Sequence, residues 1–128
     1  CDLKEGWIYI SDAKNKSSIR YVPIHSKIMP LIQYFYQIKS DWIVCTPSGY
    51  RVWYPDYNSK RMPSINSHLE FDHKPHDTRH TFATLGHRYN LDELTLKKIM
   101  GHTPDSITHR VYTHISIEDM KREIEKII

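Results

Sequence analysis

The sequence is poor in cysteine and glycine, and it has no long apolar segment. Only two cysteines, Cys1 and Cys45, and four glycines occur among its 128 residues. Two cysteines cannot build a disulfide framework or a CxxC metal knuckle, which favours a reducing, intracellular setting over secretion. No run of about 18 apolar residues is present, which excludes a transmembrane helix. The first residues also lack the basic and then apolar pattern of a secretory signal.

Charge alone does not identify a partner. Lysine and arginine number 18 against 15 aspartates and glutamates, which leaves a net charge of +3 when histidine is neutral. This mild excess is compatible with an anionic partner but is too small to require one. The length suits one domain with a single core, so the function has to be sought in particular residues.

The hydrophobic pattern predicts a mainly α fold with a small antiparallel three-stranded β-sheet near the N-terminus. Two β-rich runs, residues 7–10 and 19–24, are joined by a polar stretch and indicate a hairpin with a basic tip. Apolar residues at helical spacing predict an amphipathic helix over residues 26–39. Residues 42–45 are the predicted third strand, since a Thr-Pro-Ser-Gly turn follows them.

Helices are predicted for most of the remaining chain. They cover residues 57–71 with a kink or late start at Pro63, residues 76–89, residues 92–100 and a last segment from Ser116. Residues 106–112 are predicted to form a short helix or turn. Asp92 is the expected N-cap of its helix and Gly101 the expected end, while Ser116 and Asp119 have capping-box spacing. The last helix carries an apolar stripe from Ile117 to Ile128, which either packs on its own core or drives self-association.

Three segments concentrate side chains that are suited to phosphate chemistry. The first is the hairpin, with Lys14, Lys16 and Arg20. The second is the run His76-Asp77-Thr78-Arg79-His80. The third contains His102 and, ten positions later, Tyr112. On a helix, His76, Arg79 and His80 share one face. Taken singly, each of these residues has an ordinary structural explanation, such as a packed tyrosine or a solvated lysine. Only the ordered combination indicates chemistry.

Together these residues suit substitution at a phosphodiester. Arg79 and His102 are donors for the negative charge that grows on the phosphate oxygens, and they act without a metal. Tyr112 is a candidate nucleophile, but an unperturbed tyrosine hydroxyl has a pKa of about 10. It therefore needs a base, for which His76 is suitable. A lysine on the hairpin can protonate the departing alkoxide.

In this combination the sequence resembles the catalytic domain of the tyrosine recombinases, the phage integrase family. The matching segments are Lys14 with residues 17–24 (Ser-Ser-Ile-Arg-Tyr-Val-Pro-Ile), residues 74–84 (Lys-Pro-His-Asp-Thr-Arg-His-Thr-Phe-Ala-Thr), residues 99–104 (Ile-Met-Gly-His-Thr-Pro) and residues 111–114 (Val-Tyr-Thr-His). They follow the family's order and spacing, and the second is the most specific. The resemblance implies the tyrosine recombinase catalytic-domain fold. It also implies site-specific DNA recombination or integration through a 3′-phosphotyrosyl intermediate, with no cofactor.

The resemblance also implies a role for each matched residue. These roles are nucleophile for Tyr112, phosphate binding for Arg79, hydrogen-bond donation to the phosphate for His102, general base for His76 and protonation of the 5′-oxygen for Lys14. Lys16 is the nearby rival for the role of Lys14, because a flexible hairpin allows slippage by two residues. For His80 we expect a part in helix packing rather than in the reaction.

One departure from the family concerns arginine. The family uses two catalytic arginines, the first upstream of the hairpin lysine, whereas no arginine precedes Lys14 here. Together with the start at Cys1, this leads us to expect that residues 1–128 are a partial catalytic domain. It would lack the first catalytic arginine and the family's N-terminal DNA-binding domain. Loss of one such group costs about 10²- to 10³-fold in rate, so we expect the isolated chain to be inactive.

The resemblance implies double-stranded DNA attachment sites as partners and a tetrameric synapse of the full-length protein. It implies no membrane association and a cytoplasmic location for a prokaryotic or phage-encoded enzyme. The C-terminal segment commonly docks on a neighbouring protomer in this family, which is one use for the apolar stripe of the last helix.

Two alternatives come from other classes of protein. A metal-dependent hydrolase would use His76 and His80, whose i, i+4 spacing is that of metal ligands, with Asp77 in the position of the base. A fixed charge on Arg79 in the same turn argues against it. A non-catalytic DNA-binding module would use cations interleaved with aromatic residues, namely Arg51, Lys60, Arg61 and Lys74 with Trp53, Tyr54 and Tyr57.

Overall fold

The computed structural model describes residues 1–11, 19–102 and 114–128. The chain divides into two compact units, the first formed by Cys1–Pro30 with Ala83–Ile128 and the second by Leu31–Phe82. Lys14, Lys16, Tyr112 and the short helix or turn predicted for residues 106–112 lie outside the described residues. In the described part of the chain, no helix is both long and apolar enough to span a membrane.

The first unit contains the predicted hairpin. Strands β1 (Trp7–Ile10) and β2 (Arg20–Pro23) pair antiparallel, with Trp7 opposite Pro23 and Ile10 opposite Arg20. Tyr21 joins the two strands through its ring, which lies 4.9 Å from that of Trp7 and 4.8 Å from that of Tyr9. Cross-strand aromatic pairs of this kind stabilise a short ribbon, so the hairpin prediction is confirmed.

Two helices supply most of the core of this unit. Helix α5 (Glu93–Met100) begins at Asp92, whose carboxylate accepts a hydrogen bond from the Thr95 N–H, and ends at Gly101 in the left-handed conformation with φ 73°. Helix α6 (Ile117–Ile124) begins with a capping box in which Ser116 and Asp119 each accept from the other's backbone N–H. Both sets of caps were expected from the sequence and are confirmed.

The apolar stripe of α6 packs on its own unit. Met120 and Ile124 are only 3% and 7% exposed, and α6 contacts both α5 and β2. Polar contacts reinforce this packing, because Ser26 donates to the Glu125 carboxylate through its backbone N–H and its hydroxyl, each at 2.6 Å. His25 Nε2 also lies 2.8 Å from the carbonyl oxygen of Ile127. Packing in the same chain, one of the two uses predicted for the stripe, is confirmed for Met120 and Ile124, whereas Ile128 is 83% exposed.

The predicted helix over residues 26–39 is present, although its first turn is tighter than an α-helix. A 3₁₀ turn (Ser26–Ile28) leads into helix α1 (Met29–Gln37). Pro30 occupies the first turn of α1, where a missing N–H costs no hydrogen bond. Leu31, Tyr34 and Tyr36 are more than half exposed, at 55%, 54% and 59%.

The predicted third strand is wrong. Within the described residues the only sheet has two strands, and residues 42–45 form bends that end in one isolated bridge between Cys45 and Arg51. Side-chain hydrogen bonds explain the difference. The Ser40 hydroxyl donates to the Gly49 carbonyl at 2.7 Å and accepts from the Trp42 N–H at 3.1 Å. Such local bonds offer the backbone an alternative to a strand ladder.

The predicted helix over residues 57–71 starts earlier than expected and contains a distortion. Its parts are α2 (Tyr54–Asp56), a π-helical turn (Tyr57–Arg61) and α3 (Met62–Leu69). The Met62 N–H donates to the Tyr57 carbonyl, five residues back. The π turn ends two residues before Pro63, and the ring of a proline clashes with the regular i−4 carbonyl of an α-helix. The proline therefore distorts the helix rather than delaying its start.

Candidate active site

The His-x-x-Arg segment lies at the start of helix α4 (Asp77–Arg88). This helix begins in the second unit, and its part from Ala83 onward belongs to the first. The Asp77 carboxylate accepts from the Lys74 N–H at 2.9 Å, and the Thr78 hydroxyl donates to the Pro75 carbonyl at 2.7 Å. These bonds fix the chain that leads into the helix, so the first turn of α4 has one defined geometry.

Asp77 is held in its ionised form by this arrangement. The hydrogen bond from the Lys74 backbone lowers the pKa of Asp77, and His73, whose Nδ1 lies 3.4 Å from the carboxylate, lowers it further. A carboxylate near a helix N-terminus is also favoured by the helix dipole. A general base works best with a pKa near the operating pH. Asp77 is therefore a structural cap and a weak candidate for a base.

His76, directly before α4, is grouped with Arg79 and His80 on the first turn of the helix. The Arg79 N–H donates to the His76 carbonyl at 3.0 Å, and the rings of His76 and His80 meet edge to face with centroids 5.1 Å apart. His76 and His80 are exposed, while Arg79 is half-buried. The structure thus brings His76 and His80 into contact as their spacing predicted. The part in helix packing that we expect for His80 stays a prediction.

His102 lies in the first unit, just beyond α5. Its backbone N–H donates to the Lys97 carbonyl at 3.0 Å, and the Gly101 N–H donates to the Lys98 carbonyl at 3.0 Å. Both bonds belong to the left-handed turn that ends α5. The side chain of His102 is exposed, which leaves it accessible to a bound molecule.

Helices α4 and α5 pack closely against each other at Gly86. Gly86 of α4 is buried, and a Cβ built on it would lie 2.8 Å from both terminal carbons of Leu96. Leu96 is itself only 3% exposed, so it has little room to move. The glycine is therefore a packing requirement and not a source of flexibility.

We predict that Gly86→Ala destabilises the chain. Alanine gains about 1 kcal/mol of helix propensity over glycine, but overpacking of a filled core costs about 1–3 kcal/mol. We expect a net loss of about 1 kcal/mol in the free energy of unfolding, measured by urea denaturation. The control is His87→Ala at the adjacent exposed position, with an effect within about 0.5 kcal/mol. A Gly86→Ala variant as stable as the wild type would contradict the close packing.

Two side chains anchor the described backbone on either side of the stretch 103–113. After it, the carbonyl of Ile115 accepts a hydrogen bond from Lys98 Nζ at 2.7 Å. Burial lowers the pKa of Lys98, as expected for an ammonium group partly removed from water. Before it, the guanidinium of Arg20 donates through Nε to the Ile99 carbonyl at 2.8 Å. Sequence reasoning missed both anchors, because nothing local pairs Arg20 with a residue 79 positions away.

The geometry does not favour the metal-dependent alternative. Among the described residues, no three histidine, cysteine, aspartate or glutamate side chains lie close enough together to hold a metal ion. The edge-to-face rings of His76 and His80 contact each other instead of converging on a shared point. Asp77 accepts from the backbone of Lys74, which is a different task from activating water.

The cations and aromatic residues of the DNA-binding alternative lie in the second unit. Arg51 is stacked between Trp42 and Trp53, with its guanidinium carbon 4.2 Å and 4.3 Å from the ring centroids. Lys60 pairs with Asp56 at 3.0 Å on an exposed surface, where such pairs contribute little. Trp53 is 58% exposed. Part of this positive charge is thus already engaged within the chain.

The described residues also form a cleft of about 520 Å³ in the first unit. Its lining mixes acidic and basic side chains and comprises Asp92, Thr95, His114, Ile115, Asp119, Arg122, Glu123 and Lys126. His76, Arg79 and His102 are not part of this lining. This cleft is therefore separate from the described residues of the predicted site.

Comparison with known proteins gives one family and several relatives. The model of the phage integrase family matches residues 1–119. Tyrosine recombinase XerA of Saccharolobus solfataricus is 34% identical over 67 residues, which cover 52% of this chain and 23% of the relative. Tyrosine recombinase XerC of Caldanaerobacter subterraneus subsp. tengcongensis is 42% identical over 52 residues, covering 40% of this chain and 14% of the relative.

A further relative aligns over more of the chain at lower identity. Tyrosine recombinase XerC-like of the same Caldanaerobacter strain is 24% identical over 130 aligned positions, covering 89% of this chain and 33% of the relative. The chain thus spans no more than 33% of the length of any of these three relatives. No solved structure matches it significantly.

Proposed function

The chain belongs to the phage integrase family, and from that premise we propose that it forms part of a site-specific DNA recombinase. The relatives are named tyrosine recombinases. The observation that carries the proposal is the family match over residues 1–119, which includes the His-x-x-Arg turn of α4, His102 and Tyr112. The proposed reaction breaks one phosphodiester of double-stranded DNA and rejoins it to a different end.

In the proposed reaction, the Tyr112 hydroxyl attacks the scissile phosphorus. The bond from phosphorus to the tyrosine oxygen forms as the bond to the 5′-oxygen breaks, which leaves a 3′-phosphotyrosyl link and a free 5′-hydroxyl. His76 takes the proton of the tyrosine, and Lys14 gives one to the 5′-oxygen. Rejoining reverses these steps with a 5′-hydroxyl from another strand. No step needs a metal or a cofactor.

Arg79 and His102 are proposed to bind the phosphate. The planar fork of an arginine binds two phosphate oxygens at once, and Arg79 is half-buried on the first turn of α4, where its position is well defined. Backbone N–H groups at the start of a helix also favour a phosphate. His102 is exposed beside a rigid turn, which suits donation of a hydrogen bond to the developing charge.

Lys14 is proposed as the general acid because of its place in the chain. In the sequence it lies between Ile10 and Arg20, which form the last described pair of the hairpin. Lys16 lies in the same connection and remains the rival for this role. Single substitutions of the two lysines, assayed for cleavage of a substrate with a 5′-phosphorothiolate leaving group, distinguish them. This leaving group departs without a proton. Substitution of the true general acid should therefore slow the cleavage of ordinary DNA but not of this substrate.

The isolated 128-residue chain is expected to be inactive. Its sequence contains no arginine before Lys14, whereas the family uses one there, and loss of such a group costs about 10²- to 10³-fold in rate. We propose that this arginine and a DNA-binding domain belong to the complete gene product, which would assemble as a tetramer on two DNA sites. Covalent adduct formation by the isolated chain, measured beside the complete gene product, would contradict this expectation.

Cleavage in the presence of a chelator tests the proposed function. The complete gene product is incubated with a pool of nicked duplexes of randomised sequence in excess EDTA, and covalently bound DNA is recovered under denaturing conditions. Recovery of the same sequences with and without EDTA supports the recombinase. Cleavage that EDTA abolishes supports the metal-dependent hydrolase. Binding without any covalent recovery supports the non-catalytic DNA-binding module.

A further inference from the structure

The side chain of Arg20 connects the hairpin to the end of helix α5. Its Nε donates to the carbonyl of Ile99 at 2.8 Å, and Ile99 is only 4% exposed. The guanidinium also lies against Gly101, because a Cβ built on that glycine would fall 2.7 Å from Cζ and from Nη1 of Arg20. The planar group therefore covers the Cα of Gly101, at the one residue between α5 and His102.

We propose that Arg20 is a positioning residue that holds His102 in place for phosphate binding. This inference rests on the function proposed above, in which His102 donates to the scissile phosphate. His102 follows directly on Gly101, whose left-handed φ of 73° sets the direction in which the chain leaves α5. Arg20 contacts this turn at the Ile99 carbonyl and at Gly101. A hydrogen bond within the turn joins the His102 N–H to the Lys97 carbonyl.

Arg20 also belongs to the hairpin formed by β1 and β2. Arg20 is the first residue of β2 and pairs with Ile10, the last residue of β1. Its contact with α5 therefore ties the last described pair of the ribbon to the turn before His102.

Arginine is required here for its shape as well as for its charge. Nε donates in the plane of the guanidinium, and the flat face fits against a residue that has no side chain. A lysine at this position keeps the charge but presents a tetrahedral ammonium with no flat face. The pairing also explains why Gly101 suits its place, since any Cβ would collide with the guanidinium and would be strained at positive φ.

The first test measures the turn itself in the isolated 128-residue chain. Arg20→Lys and Arg20→Gln are compared with the wild type by NMR of the backbone amides of residues 99–102 and of the His102 ring. We expect shifted or broadened signals in both variants, with unchanged signals in the control Arg88→Gln, an exposed arginine of the same unit. Unchanged Gly101 and His102 signals in Arg20→Gln would overturn the proposal, whatever the protein does to DNA.

A double-mutant cycle tests the contact between Arg20 and Gly101. Gly101→Ala is measured in the wild type and in the Arg20→Ala background by thermal unfolding. If the guanidinium covers the glycine, the added methyl lowers the Tm less when the arginine is absent, because residues in contact are energetically coupled. Equal decreases in the two backgrounds would show that the contact does not exist.

The second test measures catalysis by the complete gene product. Misplacement of a catalytic group by a distant residue costs up to about 10²-fold, so we expect Arg20→Lys and Arg20→Gln to cleave about 10- to 100-fold more slowly. DNA affinity should stay near the wild-type value, and Arg88→Gln should cleave normally. A wild-type cleavage rate in Arg20→Lys, or a loss of affinity that accounts for the whole decrease, would overturn the proposal. Absence of cleavage by the wild type would contradict the proposed function instead, and the NMR result alone would then decide whether Arg20 holds the turn.

Discussion

Tyr112→Phe is expected to abolish strand cleavage by the complete gene product while leaving DNA binding intact. The substitution removes one oxygen atom and keeps the aromatic ring, so packing and binding surfaces change little. Without that oxygen there is no nucleophile to displace the 5′-oxygen. When the nucleophile is removed from a set of catalytic residues that act together, the rate of the reaction falls by a factor on the order of 10⁶. Cleavage of a nicked duplex and binding in a gel-shift assay measure the two properties separately.

A second tyrosine supplies the control for this experiment. Tyr36 lies on helix α1 and is 59% exposed, so Tyr36→Phe removes an equivalent oxygen from a residue with no proposed role. We expect this variant to cleave at the wild-type rate. Cleavage that persists in Tyr112→Phe would show that another group is the nucleophile. Loss of binding in Tyr112→Phe would show that the tyrosine serves the interface instead of the reaction.

The second large effect is expected at Arg79. Arg79→Lys keeps the positive charge but loses the planar fork that binds two phosphate oxygens. Because the contact is made most strongly in the transition state, the cleavage rate should fall by about 10²- to 10³-fold, with a much smaller change in DNA affinity. Single-turnover cleavage rates at saturating protein measure this effect without interference from binding.

Arg88 offers a matched control for Arg79 on the same helix. It lies on the last turn of α4 and is exposed, so Arg88→Lys should cleave at the wild-type rate. Circular dichroism of both variants checks that the helix is retained. A wild-type rate in Arg79→Lys would contradict the proposed role of Arg79, because a simple positive charge would then be sufficient at that position.

Helix ends were the part of the fold that the sequence predicted best. Asp92 and Gly101 at the two ends of α5, and Ser116 with Asp119 at the start of α6, occupy the predicted places. These features depend on hydrogen bonds between residues at most a few positions apart. Features that depend only on residues close together in the sequence can therefore be predicted from the sequence.

The third strand failed because β-structure depends on a partner. Residues 42–45 have strand-like composition, but the structure gives them bends, with Ser40 bonded to Gly49 and Trp42. Strand propensity reflects packing against neighbouring strands more than an intrinsic backbone preference. Among the described residues, 42–45 pair with no neighbouring strand apart from one isolated bridge at Cys45, and composition alone does not show this.

The sequence predicted only part of the candidate site, because some of its contacts join residues that are far apart in the chain. His76, Arg79 and His80 lie within one helical turn, so their grouping followed from spacing, and His102 followed from its place beside Gly101. The roles of these residues stay predictions. The contacts of Arg20 with Ile99 and Gly101 join residues about 80 positions apart, and only the folded chain reveals them.

The most direct test of the central proposal is the identity of the residue that carries DNA after cleavage. The complete gene product is trapped on a nicked duplex, digested with protease and nuclease, and the peptide that bears a nucleotide is sequenced by mass spectrometry. The proposed mechanism predicts a 3′-phosphotyrosyl nucleotide on Tyr112. A nucleotide on any other residue, or cleaved DNA with no covalent peptide, would contradict it.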